Sequence, residues 1–529
     1  MGAWSLYFLA KLGLYYGHGI GLHWLLNLLL AAALAWPLQR PAWRRARAVL
    51  ALPAAVALLY ADSYLPPPAQ LFDRAGALGD FRAGYLLELA QRALPLPALL
   101  AAALMVLLYF LLQHRLRFAT LAFAGLLSAA VLPPAPAAPG APADARANGP
   151  EDAADAPEAA ADSAAPLSAA RLDAALQAYY DSQRGKAVSF ARAGAARFDL
   201  VLLNICSLSR DDLDFEHAQD APLLARFDIV FTRFNSAATY SGPAVLRLLH
   251  GTCGQAPQAA LYSGTAADSC YLFRNLADAG YEPALLLNHD GRFGHFAQEL
   301  RDSGGVGAEP LDNRAAPVAM QAFDGSPVRS DFALLSQWWQ RGAGADAHRA
   351  LLYNTITLHD GNRLPGAGGG DSRASYAPRL RTLLADLGRF LDLVEASGRP
   401  TVVVLIPEHG AALRGDAAQV PGLRELPTRA ITQVPVAVKL IGLEGVGHGG
   451  PPLRVDRPAS YLSLTTLIAG LNAVDGAAGG RSGLEHLLRA LPATQWVAEN
   501  EGTVLFHAGG RDYLRTPAGE WSELGAPPG

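Results

Sequence analysis

Apolar residues are unevenly spread along this chain. Before residue 135 they gather into five long runs, at about 5–17, 22–38, 48–64, 94–113 and 118–131. The fourth is the longest and contains ALLAAALMVLLYFLL. A membrane-crossing helix needs about 20 such residues, or slightly fewer with snorkelling flanks. The pattern therefore predicts an all-α transmembrane bundle of five spans over residues 1–132. The first run is short, Tyr-rich and interrupted by Lys11. Further apolar runs follow it, whereas a cleaved leader is followed by polar mature chain.

Positive charge orients these spans. Arg40, Arg44, Arg45 and Arg47 separate runs two and three, and His114, Arg115 and Arg117 separate runs four and five. Both loops are expected on the cytoplasmic side. The loop holding Asp73, Asp80 and Glu88, and everything after Pro133, is then expected outside. Residues 133–166 are Ala, Pro, Asp and Glu with almost no large apolar side chain. Such a stretch cannot bury a core and predicts a flexible, semi-extended linker.

From 167 to 529 short apolar runs alternate with amphipathic stretches. The runs at 198–204, 283–288, 351–357, 401–406 and 434–440 read as buried strands, and 377–396 reads as a helix. Alternating strands and helices predict an α/β domain with a mostly parallel sheet flanked by helices. Ligands in such sheets bind beyond the C-terminal ends of the strands. Four of these ends carry reactive side chains: Cys206; Asn288, His289 and Asp290; His359 and Asp360; Glu408 and His409.

Composition adds location. The chain has 529 residues, 51% hydrophobic and only 17% charged, with a net charge of −4. That charge is too small to argue for a nucleic-acid partner. Three cysteines are present. Cys253 and Cys270 are close in sequence and form the natural disulfide pair for an oxidising compartment. Cys206 is the odd thiol. A small buried thiol is the ordinary fate of such a residue, but thiolate, carboxylate and imidazole together suit zinc better than magnesium or calcium. Ser241 precedes a helix-like run with Pro243 in its first turn, as an N-cap would. A helix N-terminus also favours an alkoxide, or a phosphoryl group on it. Tyr240, Arg414 and Arg424 are candidates for gripping phosphate. His289 and His359 are candidates for handling substrate.

The segments NICSLSRDDL (204–213), TYSGPA (239–244), LNHDG (287–291), FDGSP (323–327), LHDGNR (358–363) and PEHGAALRGD (407–416) resemble the BcsG family of cellulose phosphoethanolamine transferases, in the alkaline-phosphatase superfamily. The resemblance spans nearly the whole chain and implies an alkaline-phosphatase-like fold. Lipid A phosphoethanolamine transferases and lipoteichoic acid synthases in that superfamily mostly use Thr as nucleophile and an Asp-His pair at the metal. Here Ser241 and Glu408-His409 stand instead, with Cys206 in place of a carboxylate. By resemblance, zinc is held by Cys206, Ser241, Glu408 and His409, while His359, Tyr240 and Arg424 handle substrate. Arg210 departs from the aromatic residue expected in the first segment. A sulfatase motif, Cys or Ser followed by x-Pro-x-Arg, fails because Val245 stands where Arg is required.

The resemblance implies ping-pong transfer of phosphoethanolamine from phosphatidylethanolamine through Ser241 to glucose hydroxyls of cellulose. It places the enzyme beside the cellulose synthase complex, in a bacterial inner membrane with its catalytic domain in the periplasm. A related transferase or phosphodiesterase on another glycan, and a mainly structural subunit of a cellulose-secretion complex, are the alternatives.

Overall fold

Unbroken β-branched and Leu-rich segments make the central sheet. In the structure, a computed structural model, residues 2–16, 20–63, 81–93, 96–131, 167–190, 197–342, 346–366, 371–416, 419, 421–443, 450–473 and 480–524 are described. The strands are β1 Asp199–Ile205, β2 Ile229–Asn235, β3 Glu282–Leu287, β4 Val318–Gln321, β5 Pro327–Arg329, β6 Arg349–Thr355, β7 Thr401–Pro407, β8 Gln433–Ile441 and β9 Leu453–Val455, followed by β10 Val497–Asn500, β11 Thr503–Ala508, β12 Arg511–Arg515 and β13 Trp521–Glu523. Seven form one sheet in the order β3-β6-β1-β7-β8-β2-β9. All neighbours are parallel except β8, which runs against both β7 and β2. The five expected strands are β1, β3, β6, β7 and β8. β2, β9 and the antiparallel β10–β13 sheet were not anticipated.

Every residue of β1, β6 and β7 is buried. Alternate side chains therefore feed two cores. Leu200, Leu202, Val402, Val404 and Ile406 join one, with Val245, Leu248 and Leu249 of the helix Ser241–Leu249. Val201, Leu203, Val403 and Leu405 join the other, with Leu380, Leu383, Leu387, Phe390, Leu391 and Val394. These last six recur every three or four residues along the helix Tyr376–Ser397, as one buried helical face requires. That helix ends at Gly398, whose φ of 66° is the left-handed conformation glycine adopts without strain.

The chain divides into two compact units, one holding the N-terminal helices and the other holding the sheet. In the N-terminal unit the described helices are Trp4–Tyr16, Trp24–Ala35, Pro41–Asp62, Ala83–Ala93, Leu96–Leu112 and Phe118–Ala129. The helix Ala83–Ala93 falls where a loop was expected. The charges Arg44, Arg45 and Arg47, also expected in a loop, form the first turns of the helix Pro41–Asp62. Lys11 is buried, hydrogen-bonded to Asn27 Oδ1 at 2.8 Å and paired with Asp62. Among the described residues no helix is both long and apolar enough to cross a membrane. The apolar helix Leu96–Leu112 has 17 residues. The expected linker at 133–166 lies outside the described residues.

Candidate metal centre and nucleophile

Parallel strands put their C-terminal ends on one edge, and register decides which residues meet there. Ile205 pairs with both Thr355 and Pro407. The Cys206 amide then donates to the Thr355 carbonyl at 3.0 Å, and the Glu408 amide to the Ile205 carbonyl at 2.9 Å. Cys206, Glu408 and His409 thus leave adjacent strands side by side. All three are buried, and their ligand atoms lie within 4.8 Å of one another.

Ser241 is the first residue of its helix, and the capping position belongs to Tyr240, so the expectation of an N-cap serine is corrected. The Ser241 hydroxyl is therefore not spent on the backbone. Its Oγ lies 3.4 Å from Cys206 Sγ and 3.4 Å from His409 Nε2. Sγ lies 3.9 Å from Nε2, and Glu408 Oε2 lies 3.8 Å from the same nitrogen. Four donors of the thiol, hydroxyl, carboxyl and imidazole classes converge.

The hydrogen bonds around this cluster aim its lone pairs inward. His409 Nδ1 donates to the Gly410 carbonyl at 2.9 Å, which leaves Nε2 unprotonated toward Ser241. Glu408 Oε1 accepts from Asn354, while the buried Oε2 has no hydrogen-bond partner among the described residues. A buried, unpartnered carboxylate oxygen is costly unless a cation completes it. Burial, and then the Glu408 charge, pushes the Cys206 thiol up to about 12. Burial also raises the Glu408 carboxyl, and burial with the Arg424 charge drives the His409 imidazole well below its usual range. Each group is pressed toward its neutral form, the penalty that a bound dication reverses. The residues present therefore fit a zinc ion.

Supporting residues fix this geometry. His289 is buried; its Nδ1 accepts from the Gly291 amide at 3.2 Å, so Nε2 donates to Asn354 Oδ1 at 3.0 Å. That contact turns the Asn354 amide nitrogen toward Glu408 and Asn204. Asp212 Oδ2 accepts from the Ser209 amide and hydroxyl, both at 2.9 Å, and from the Ala411 amide at 2.7 Å, tying the metal loop to the helix Arg210–Phe215. A side chain at Gly410 would place its Cβ 2.6 Å from Ser209 Oγ, so only glycine permits this approach. Asn354 was missed in the sequence, although an asparagine inside a fully buried strand is the signal that finds it.

Arg424 Nη1 lies 3.0 Å from His409 Nδ1 and 3.4 Å from Ser207 Oγ, and its guanidinium lies 5.0 Å from the Tyr240 ring centre. The Gly410 carbonyl takes the Nδ1 proton, so Arg424 acts on the imidazole as a neighbouring positive charge. Tyr240 donates to Glu425 at 2.8 Å. Arg414 is not brought to the site: it is half-exposed, pairs with Asp211 at 3.3 Å and lies against the Phe215 ring. His359 and His289 line one cavity with Ser241. His359 Nδ1 donates to the Asp360 carbonyl at 2.6 Å, and its ring stacks on Phe323 at 4.5 Å. Burial, then the Arg424 charge, lowers it to about 4, so it is neutral at pH 7 with Nε2 as its basic atom. Arg379, buried in the helix Tyr376–Ser397, donates to the Thr357 and His359 carbonyls at 2.7 and 2.9 Å and holds this turn. Cys253 and Cys270 form the expected disulfide.

Comparison with known proteins gives this site its relatives. The profile of the cellulose biosynthesis protein BcsG C-terminal domain matches residues 156–521, and that of its N-terminal domain matches residues 4–131. The chain is 35% identical to cellulose biosynthesis protein BcsG of Escherichia coli (strain K12), over 98% of this chain and 96% of that protein. The protein of the same name in Salmonella typhimurium is 34% identical, with the same shares covered. Among solved structures, a protein in the alkaline phosphatase superfamily from Vibrio parahaemolyticus superposes with a TM-score of 0.48 at 16% identity, over 66% of this chain and 87% of that one. The C-terminal periplasmic domain of EcEptC from Escherichia coli gives 0.41 at 13% identity, over 61% and 96%. By the match of both domain profiles and by identity over almost its full length, this chain belongs to the family of the cellulose biosynthesis protein BcsG.

Proposed function

We propose that this chain is a zinc-dependent phosphoethanolamine transferase of cellulose biosynthesis, with an alkaline-phosphatase-like catalytic domain. Its donor is phosphatidylethanolamine, and its acceptor is a glucose hydroxyl, the 6-OH, of nascent cellulose. The N-terminal helices anchor it in the bacterial inner membrane as a five-span bundle, residues 133–166 act as the tether, and 167–529 work in the periplasm beside the cellulose synthase complex. The observation that carries the reading is the Ser241 hydroxyl at a helix N-terminus, 3.4 Å from both Cys206 Sγ and His409 Nε2.

Cys206, Ser241, Glu408 and His409 would hold a zinc ion, which when bound would supply positive charge that favours the deprotonated thiol and serine and offsets phosphoryl charge. The chain's own residues then position and exchange protons. Ser241 Oγ attacks phosphorus, the bond to the diacylglycerol oxygen breaks, and that oxygen leaves with a proton drawn from solvent. Ser241 now carries phosphoethanolamine, stabilised by the amide dipoles of its helix and by Arg424. A glucose hydroxyl attacks next, the Ser241–phosphorus bond breaks, and neutral His359 takes the hydroxyl proton. His359, neutral at pH 7, then releases that proton to solvent, which balances the one taken up by the departing diacylglycerol.

Replacing Ser241 by Ala in a cellulose-producing strain tests this. Cellulose is expected to be secreted without phosphoethanolamine. Continued modification by the variant excludes Ser241 as nucleophile, and absence of phosphoethanolamine in the parent strain excludes the cellulose assignment.

A further inference from the structure

Ser241 opens on one side into a small cavity that zinc and the phosphoryl group do not account for. Its walls are Phe293, Phe296 and Phe323, with the carboxylates of Asp290 and Asp324 among them. Phe293 meets Phe323 edge-on at 4.7 Å, and Phe296 lies against His289 at 5.6 Å. Asp324 Oδ1 accepts from the Ser326 amide and hydroxyl at 2.8 and 2.7 Å, which fixes the carboxylate. No described residue donates to its second oxygen. Asp290 Oδ1 accepts from the Arg292 amide at 3.1 Å, and the exposed Arg292 side chain lies 3.9 Å from the carboxylate, a pair that solvent screens. Aromatic faces beside carboxylates form a site for an organic cation. The cavity holds about 70 Å³, room for several waters, each of which needs about 10–15 Å³ on this measure. A two-carbon ammonium fits that space. Arg424, which suits the anionic half of a zwitterionic headgroup, does not line it.

We infer that this cavity is the subsite for the primary ammonium of the transferred headgroup, with Asp324 as its main counter-charge. The inference rests on the phosphoethanolamine-transferase reading and specifies which lipid the enzyme selects. The full chain in detergent micelles, supplied with a cello-oligosaccharide and either phosphatidylethanolamine or phosphatidylglycerol, is assayed for diacylglycerol release. The parent protein is expected to prefer phosphatidylethanolamine in kcat/KM. Asp324→Asn is expected to cut that preference about tenfold or more, with an unchanged melting temperature, and Asp324→Glu to keep most of it. A preference that survives Asp324→Asn, or parallel losses on both lipids, overturns the subsite. Release from neither lipid by the parent protein instead overturns the transferase reading on which the subsite depends.

Discussion

Cys206 shows how far one residue's surroundings decide its chemistry. Left without a cation, the thiol is pushed up to about 12 by burial and then the Glu408 charge, and stays protonated. Beside Glu408, His409 and Ser241 it completes a donor set whose charges need a metal to be tolerated. Cys206→Ala is therefore expected to lower the zinc content of the purified protein, weakening zinc by at least about 100-fold, since even outer-shell partners contribute 10–100-fold. Elemental analysis after dialysis against a weak chelator reads this directly, and an unchanged content removes Cys206 from the ligand set. Sequence motifs pick out the candidate ligands because these are reactive residue types at strand ends. They do not identify what aims them. The chain from His289 through Asn354 to Glu408 joins residues far apart in sequence, and both ring nitrogens of His289 are hydrogen-bonded within it, a contact no sequence motif displays.

At the scale of elements, the site exists because β3, β6, β1 and β7 are parallel and adjacent. Their apolar runs are uninterrupted, so they are legible in the sequence. β2 is harder to read: Arg233 is exposed, and the strand is joined by register shift to an antiparallel neighbour. The β10–β13 sheet has short, mixed strands whose pairing is set by turns and tertiary contact rather than by periodicity. The Cys253–Cys270 bridge closes a loop with a sequence separation of 17, between the helix Ser241–Leu249 and the helix Leu272–Asp278. Chain-entropy arguments put such a loop at about 3 kcal/mol. Cys253→Ser is expected to lower the unfolding free energy by roughly 2–5 kcal/mol while leaving zinc bound, as denaturant titration in parallel with metal analysis would show. A melting curve identical to the parent's means the bridge carries no stability.

At the scale of the whole molecule, the two domain profiles cover both the N-terminal helices and the catalytic unit. The sequence pattern locates the apolar helices well and their boundaries poorly, because helix propensity carries Pro41 to Arg47 into a helix that hydropathy alone starts later. On the proposed function that pairing of units has a logic: a headgroup would be taken at a membrane surface and delivered to a polymer, and a covalent carrier would let the two events be separate. Trapping that carrier is the most direct measurement. The full protein is incubated with phosphatidylethanolamine and no glucan, quenched in acid, digested and examined by mass spectrometry. The expected result is one phosphoethanolamine on the peptide bearing Ser241, lost when a cello-oligosaccharide is added and absent from Ser241→Ala. Diacylglycerol release with the peptide unmodified, or a modification that persists in Ser241→Ala, would contradict it.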